Sequence, residues 1–124
     1  MTALPDRPIT SRKQPRVQVD FAAAKMIHEK ETVYAELDNI SLGGMAIMCD
    51  RSFPFDSEVS CIFALADGAS STGMIRVTCR VKHTTRNNEK KVFITGLHFI
   101  DPQPEHLDII RHYVNARDPL AQLG

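Results

Sequence analysis

The chain has no tryptophan, two tyrosines and six phenylalanines among its 124 residues. So few rings leave little to stack a run of unpaired nucleobases, which excludes a typical single-stranded nucleic-acid platform. Net charge is zero, so the whole molecule does not attract polyanions or anionic membranes. No window approaches the ~18 apolar residues that read as a membrane-crossing helix, and no apolar leader follows a basic start. The three cysteines are odd in number and show no C-x-x-C spacing, so neither a disulfide framework nor a zinc knuckle is indicated. Cys61 shares its parity with Val59 and Phe63, and Cys79 with Val77 and Val81, as expected of core thiols in a reducing compartment. A cytoplasmic location without membrane insertion is expected.

Catalytic signatures are lacking too. There is no G-x-G-x-x-G, Walker A loop, G-x-S-x-G or H-E-x-x-H. The five histidines do not pair with Cys or Asp at ligand spacing. His106 and His112 lie six apart, roughly 240° around a helix. The carboxylates are scattered over strand faces and turns, so no acid–base pair stands out. The expectation is a binding protein, not an enzyme, with no metal and no cofactor.

What is present is alternation. Val17, Val19, Phe21 and Ala23 point one way, then Val33, Ala35 and Leu37. Met45 to Cys49 is a short apolar run. Val59, Cys61, Phe63 and Leu65, then Ile75, Val77, Cys79 and Val81, form inward sets of two further strands. Turns are expected at His28-Glu29-Lys30, Asp38 to Gly44, Asp67 to Ser71, and Asn87-Asn88-Glu89. A sixth strand runs from Val92 to Ile100, with Gly96 marking a bulge or a close backbone approach. The period then changes: Leu107, Ile110, Tyr113 and Val114 recur at helical spacing, and Asp118-Pro119 ends the helix. Six half-apolar strands bury their edges best by closing. The fold expected is therefore mainly β: a six-stranded antiparallel barrel with a C-terminal α-helix. Residues 17–118 form this unit. Residues 119–124 are a tail, and residues 1–16 are a flexible arm. That arm holds Arg7, Arg12, Lys13 and Arg16 against Asp6, a net charge of +3.

Two motifs stand out. Arg12-Lys13-Gln14-Pro15-Arg16 places two planar, permanently charged forks on the arm, each able to grip phosphate oxygens or a guanine edge. Read alone, it is also an ordinary solvated basic tail. Asn39-Ile40-Ser41-Leu42-Gly43-Gly44 exits the second strand. In extended backbone Asn39 and Ser41 share a face, while Gly44 leaves room for a ligand or a neighbouring backbone. Read alone, this is also a turn that hydrogen-bonds itself. In an antiparallel hairpin the start of one strand lies beside the end of the next. Arg16 and the Asn39 turn therefore belong at the same end of the barrel. The combination suits an anionic ligand with a planar hydrogen-bonding base.

Together the motifs resemble the PilZ domain family, bacterial receptors for the second messenger cyclic di-GMP. That family is marked by Arg-x-x-x-Arg before the first strand and Asp/Asn-x-Ser-x-x-Gly after the second. Here these stand as Arg12/Arg16 and Asn39/Ser41/Gly44. Gly96-Leu97-His98-Phe99 is similar to the family's late strand. The resemblance covers roughly residues 11–116. It implies that Arg12 and Arg16 contact guanine and phosphate, that Asn39 and Ser41 hydrogen-bond the nucleotide, and that Gly44 and Gly43 leave room for a base, with Lys13 adding charge. Many members carry another arginine where this chain has Ser11, which leaves the ligand stoichiometry open. The implied role is a cyclic di-GMP sensor that reorders its arm and signals to an effector protein in motility, chemotaxis, secretion or polysaccharide synthesis, with no nucleic acid as partner. The alternative is a PilZ-fold protein that works by protein–protein contact without the nucleotide. Arg80 and Lys82 read as ordinary outward strand positions.

Overall fold

The computed structural model describes residues 15–118 apart from residues 21, 68 and 69. Arg12, Lys13, most of the expected arm, Phe21 and the 119–124 tail lie outside the described residues. Among the described residues seven strands and one helix follow in order: β1 (Val17–Gln18), β2 (Ala23–His28), β3 (Glu31–Ile40), β4 (Gly44–Cys49), β5 (Glu58–Asp67), β6 (Ser70–Asn87), β7 (Val92–Ile100) and α1 (Pro104–Arg117). The sheet runs β1-β3-β2-β5-β6-β7-β4, and β3 also pairs with β4. That last pairing closes a six-stranded antiparallel barrel, with β1 as one extra strand.

β1 and β2 lie on the same side of β3, and the expected first strand is thus broken in two. Val17 pairs with Ile40, while Ala23 pairs with Glu36. Between them Val19 N–H donates to Asp38 O at 3.1 Å, and Leu37 N–H donates to Ala22 O at 2.8 Å. The inward parity changes across this break: Val17 and Val19 are buried, Ala23 is exposed and Ala24 is buried. Simple alternation had placed Ala23 inward. A slip of one residue turns a strand's side chains to the opposite face.

β5 and β6 follow the expected pattern. Val59, Cys61, Phe63, Leu65, Ile75, Val77, Cys79 and Val81 all point into the core. The hairpin between them is longer than the sequence suggested, because Ser70 and Ser71 pair with Asp67 and Ala66. Cys61 Sγ and Cys79 Sγ lie 3.5 Å apart as free thiols. The hydrogen bond to Cys79, then burial, pushes the Cys61 thiol far above its ordinary range, so it is not poised as a nucleophile.

α1 begins with Pro104, which needs no intrahelical partner for its missing N–H. Its apolar stripe of Ile110, Tyr113 and Val114 is buried, with Glu105 in the first turn and Arg117 in the last, matching the helix dipole. Arg117 Nη2 donates to Ala66 O at 3.3 Å, and His106 Nδ1 lies 3.0 Å from Arg76 O. The helix thereby packs against β5 and β6. No helix among the described residues is long and apolar enough to cross a membrane.

Candidate functional site on the outer barrel face

The site is built where two strand pairs, β3 with β4 and β6 with β7, slip out of regular register. β3 slips against β4 between Leu37 and Asn39. As a result Leu37 and Ile40 are both buried, and Asn39 is left half-exposed. Asn39 pairs with Gln18 of β1 on one side and with Ala46 of β4 on the other. Arg16, just ahead of β1, reaches across: its Nη1 donates to Asn39 Oδ1 at 2.7 Å. Asn39 Nδ2 in turn donates to Asp38 Oδ2 at 3.0 Å. The two sequence motifs therefore meet through one direct hydrogen bond, at the barrel end where hairpin geometry expected them.

The rest of the Asn39 turn is organised differently from the sequence expectation. The strand ends at Ile40, so Ser41 does not continue the outward face of Asn39. Ser41 is 2% exposed. Its N–H donates to Gly44 O at 2.8 Å. Its hydroxyl donates to the same carbonyl at 3.3 Å and accepts from Gly43 N–H at 3.2 Å. Gly43 O accepts from Phe99 N–H at 3.0 Å, tying the turn to β7. Ser41 thus shapes the turn that carries Asn39. Gly44 has a backbone reason to be glycine: a Cβ placed there would stand 2.0 Å from Leu97 O. Of the two meanings the sequence left open for this glycine, close backbone approach is the one the geometry displays.

On the far side of the same face lie residues that sequence reasoning missed. Gly44 pairs with His98, and His98 with Arg80. Ala46 pairs with Gly96, and Gly96 with His83. Gly44, Ala46 and Gly96 make a low shelf between Arg16 and Asn39 at one edge and the β6 side chains at the other. The β6 register slips between Val81 and His83, leaving Lys82 as the extra residue of a bulge. Bulges re-aim side chains, and here the imidazole of His83 settles over Gly96. A Cβ on Gly96 would lie 2.1 Å from the His83 ring. Gly96 was the available clue, because a glycine inside a strand indicates a bulge or a close approach.

The electrostatics of this face are one-sided around His98. Partial burial, then the charges of Lys82, Arg16 and His83, hold its imidazole below the ordinary histidine value. Arg80 and Lys82 are tied to carboxylates, as ordinary outward positions are. Arg80 Nη2 lies 3.2 Å from Glu58 Oε2, and Lys82 Nζ lies 3.7 Å from Asp56 Oδ1. Two clefts elsewhere, of about 340 Å³ and about 550 Å³, border Tyr34 and involve none of these residues. No group of three or more His, Cys, Asp or Glu among the described residues could hold a metal ion.

The fold has solved counterparts. The Bacillus subtilis inhibitor of motility, MotI/DgrA, superposes with a TM-score of 0.72 at 16% identity, over 85% of this chain and 50% of that one. The K. pneumonia MrkH–c-di-GMP complex gives 0.69 at 18% identity, over 83% and 50%. The PilZ domain of Escherichia coli YcgR with c-di-GMP gives 0.60 at 11% identity, over 90% and 95%. The chain spans half the length of the first two. Identities this low carry the fold alone. No curated protein matches the sequence. Residues 10–116 match the PilZ domain, which takes in both motifs, the whole barrel and nearly all of α1, so the chain belongs to the PilZ domain family.

Proposed function

We propose that this protein is a cyclic di-GMP receptor that binds the nucleotide on the outer barrel face between Arg16, Asn39 and the Gly44 turn. The observation that carries this reading is the 2.7 Å hydrogen bond from Arg16 to Asn39, which joins the two motifs at one end of the barrel. An arginine fork suits phosphate and the O6/N7 edge of guanine. Asn39 offers both a donor and an acceptor beside it. MrkH and YcgR, which share the fold, are seen with c-di-GMP.

In this reading Arg12 and Arg16 contact guanine and phosphate, and Lys13 adds charge. Asn39 hydrogen-bonds the nucleotide. Ser41 and Gly43 act chiefly by shaping the turn, and Gly44 lets the turn lie against β7. The dianionic ligand neutralises the +3 arm and gathers it onto the barrel, creating a surface that an effector protein reads. No catalytic group is required, and the setting is cytoplasmic.

One observation favours a second reading, a PilZ-fold adaptor that works by protein contact alone. Ser41 and Gly44 are already accounted for by the turn's own hydrogen bonds and by the approach of Leu97 O. The Asn-x-Ser-x-x-Gly pattern could thus persist for structural reasons without a ligand.

Calorimetric titration separates the two. The receptor reading predicts saturable heat with cyclic di-GMP, none with GTP or cyclic di-AMP at equal concentration, and loss of binding by at least tenfold in Arg16→Ala. Absence of heat and of competition for the wild-type chain would leave the adaptor.

A further inference from the structure

The far edge of the shelf is not explained by the two motifs. His98 stands opposite Gly44 of the Asn39 turn. His83 lies over Gly96, brought there by the bulge at Lys82. Arg16 faces them from the β1 side, where it is bonded to Asn39. Three separate parts of the chain thus deliver basic groups to one outward patch whose floor is only Gly44, Ala46 and Gly96.

We propose that His98, supported by His83, is a ligand-contact residue of this site, and that it takes up a proton when a phosphate diester binds against it. The inference rests on the receptor reading above and deepens it. It names the residue on the β7 side that meets the anion, and it makes binding pH-sensitive.

The charge environment leads to that result. The basic groups facing His98 are Arg16 from the segment before β1, and Arg80, Lys82 and His83 from β6. The acidic groups near them are Asp56 and Glu58, which engage Arg80 and Lys82, and Asp38, which accepts from Asn39. In the unliganded protein partial burial, then the neighbouring positive charges of Lys82, Arg16 and His83, disfavour imidazolium at His98. A bound phosphate reverses the sign of its surroundings and favours imidazolium. The ligand therefore binds the protonated form better. Linkage requires proton uptake on binding and an affinity that rises as pH falls through the histidine range. The sign is fixed: each pKa unit by which the ligand raises the imidazole gives up to about tenfold tighter binding below that range than above it.

The test is calorimetric titration of the full chain with cyclic di-GMP at about pH 6 and about pH 8, in buffers of differing ionisation enthalpy, since this interval brackets histidine titration. The wild type and His98→Gln are compared. Glutamine keeps a hydrogen-bonding tip but cannot charge. The wild type is expected to bind about tenfold more weakly at the higher pH and to take up protons. His98→Gln is expected to lose both the proton uptake and most of the pH dependence, while melting like the wild type because the side chain is not part of the buried core. His83→Gln is expected to reduce the dependence to a smaller degree. A wild-type affinity that is flat with pH, or a slope unchanged in His98→Gln, overturns the inference and leaves the receptor reading intact. No binding by the wild type at either pH overturns both.

Discussion

The two halves of the barrel wall obey different rules. Between Glu58 and Ala64, β5 pairs with β6 in unbroken register, slipping only towards the hairpin end between Ala64 and Ala66, and every second residue is core. β3 slips against β4 at Asp38, and β6 slips against β7 at Lys82. The regular half buries side chains and presents little beyond ordinary outward positions. The irregular half gathers Arg16, Asn39, His83 and His98 around a floor of small residues. Each slip costs a ladder hydrogen bond but re-aims a side chain. Polar groups converge where the sheet is least regular.

The sharpest way to break this contrast is to cut into the regular half. Phe63 is 1% exposed, and Phe63→Ala should cost about 3–5 kcal/mol, read by chemical denaturation. A loss below about 1 kcal/mol would mean that this wall is not the core. The next largest effect tests the irregular half. Gly44→Ala sets a methyl against the Leu97 carbonyl, a backbone atom that cannot swing away, and should cost about 2–4 kcal/mol. Gly96→Ala meets the His83 ring first, a side chain that can rotate, and should cost no more than about 1 kcal/mol. Equal losses at the two glycines would dissolve the distinction between backbone and side-chain approach.

A smaller effect has the opposite sign. Thr95 is fully buried on the inner face of β7, and its hydroxyl has no partner among the described residues. Thr95→Val removes that group at equal shape and should raise stability by about 1 kcal/mol, seen as a higher melting temperature. The smallest effect is electrostatic. The hydrogen bond from Arg51, then its charge, holds the Glu31 carboxyl below its ordinary value. A depressed carboxylate stabilises above its unfolded pKa, and that gain is lost as pH falls. Both groups are exposed, so Glu31→Gln should melt only slightly below wild type at neutral pH. The gap should close on acidification through the carboxylate range.

The same division governs what the sequence could disclose. Period-two patterns at Val59–Leu65 and Ile75–Val81 reveal inward faces directly, because nothing interrupts them. The helix shows in Ile110, Tyr113 and Val114 for the same reason. The meeting of Arg16 with Asn39 followed from hairpin logic alone. The slip at Asp38 did not show, and Gly96 pointed only to a bulge or close approach near the one at Lys82. Ala22, Ala23 and Ala24 are chemically alike, so the flip between β1 and β2 shows in hydropathy only beyond them, at Lys25 and Met26. Alternation carried past Ile40 points Ser41 outward, but the strand ends at Ile40. His98 and His83 went unassigned because their neighbourhood exists only after β1, β6 and β7 are brought together. Only Gly96 hinted at it.

The most direct test of the central claim maps the ligand onto the barrel. An isotope-labelled sample is titrated with cyclic di-GMP, and amide shifts are followed residue by residue. The account predicts saturable changes at Arg16, Asn39, Gly43, Gly44 and His98, with Val59 and Phe63 unmoved. Changes confined to the clefts around Tyr34, or no changes at saturating ligand, would contradict it.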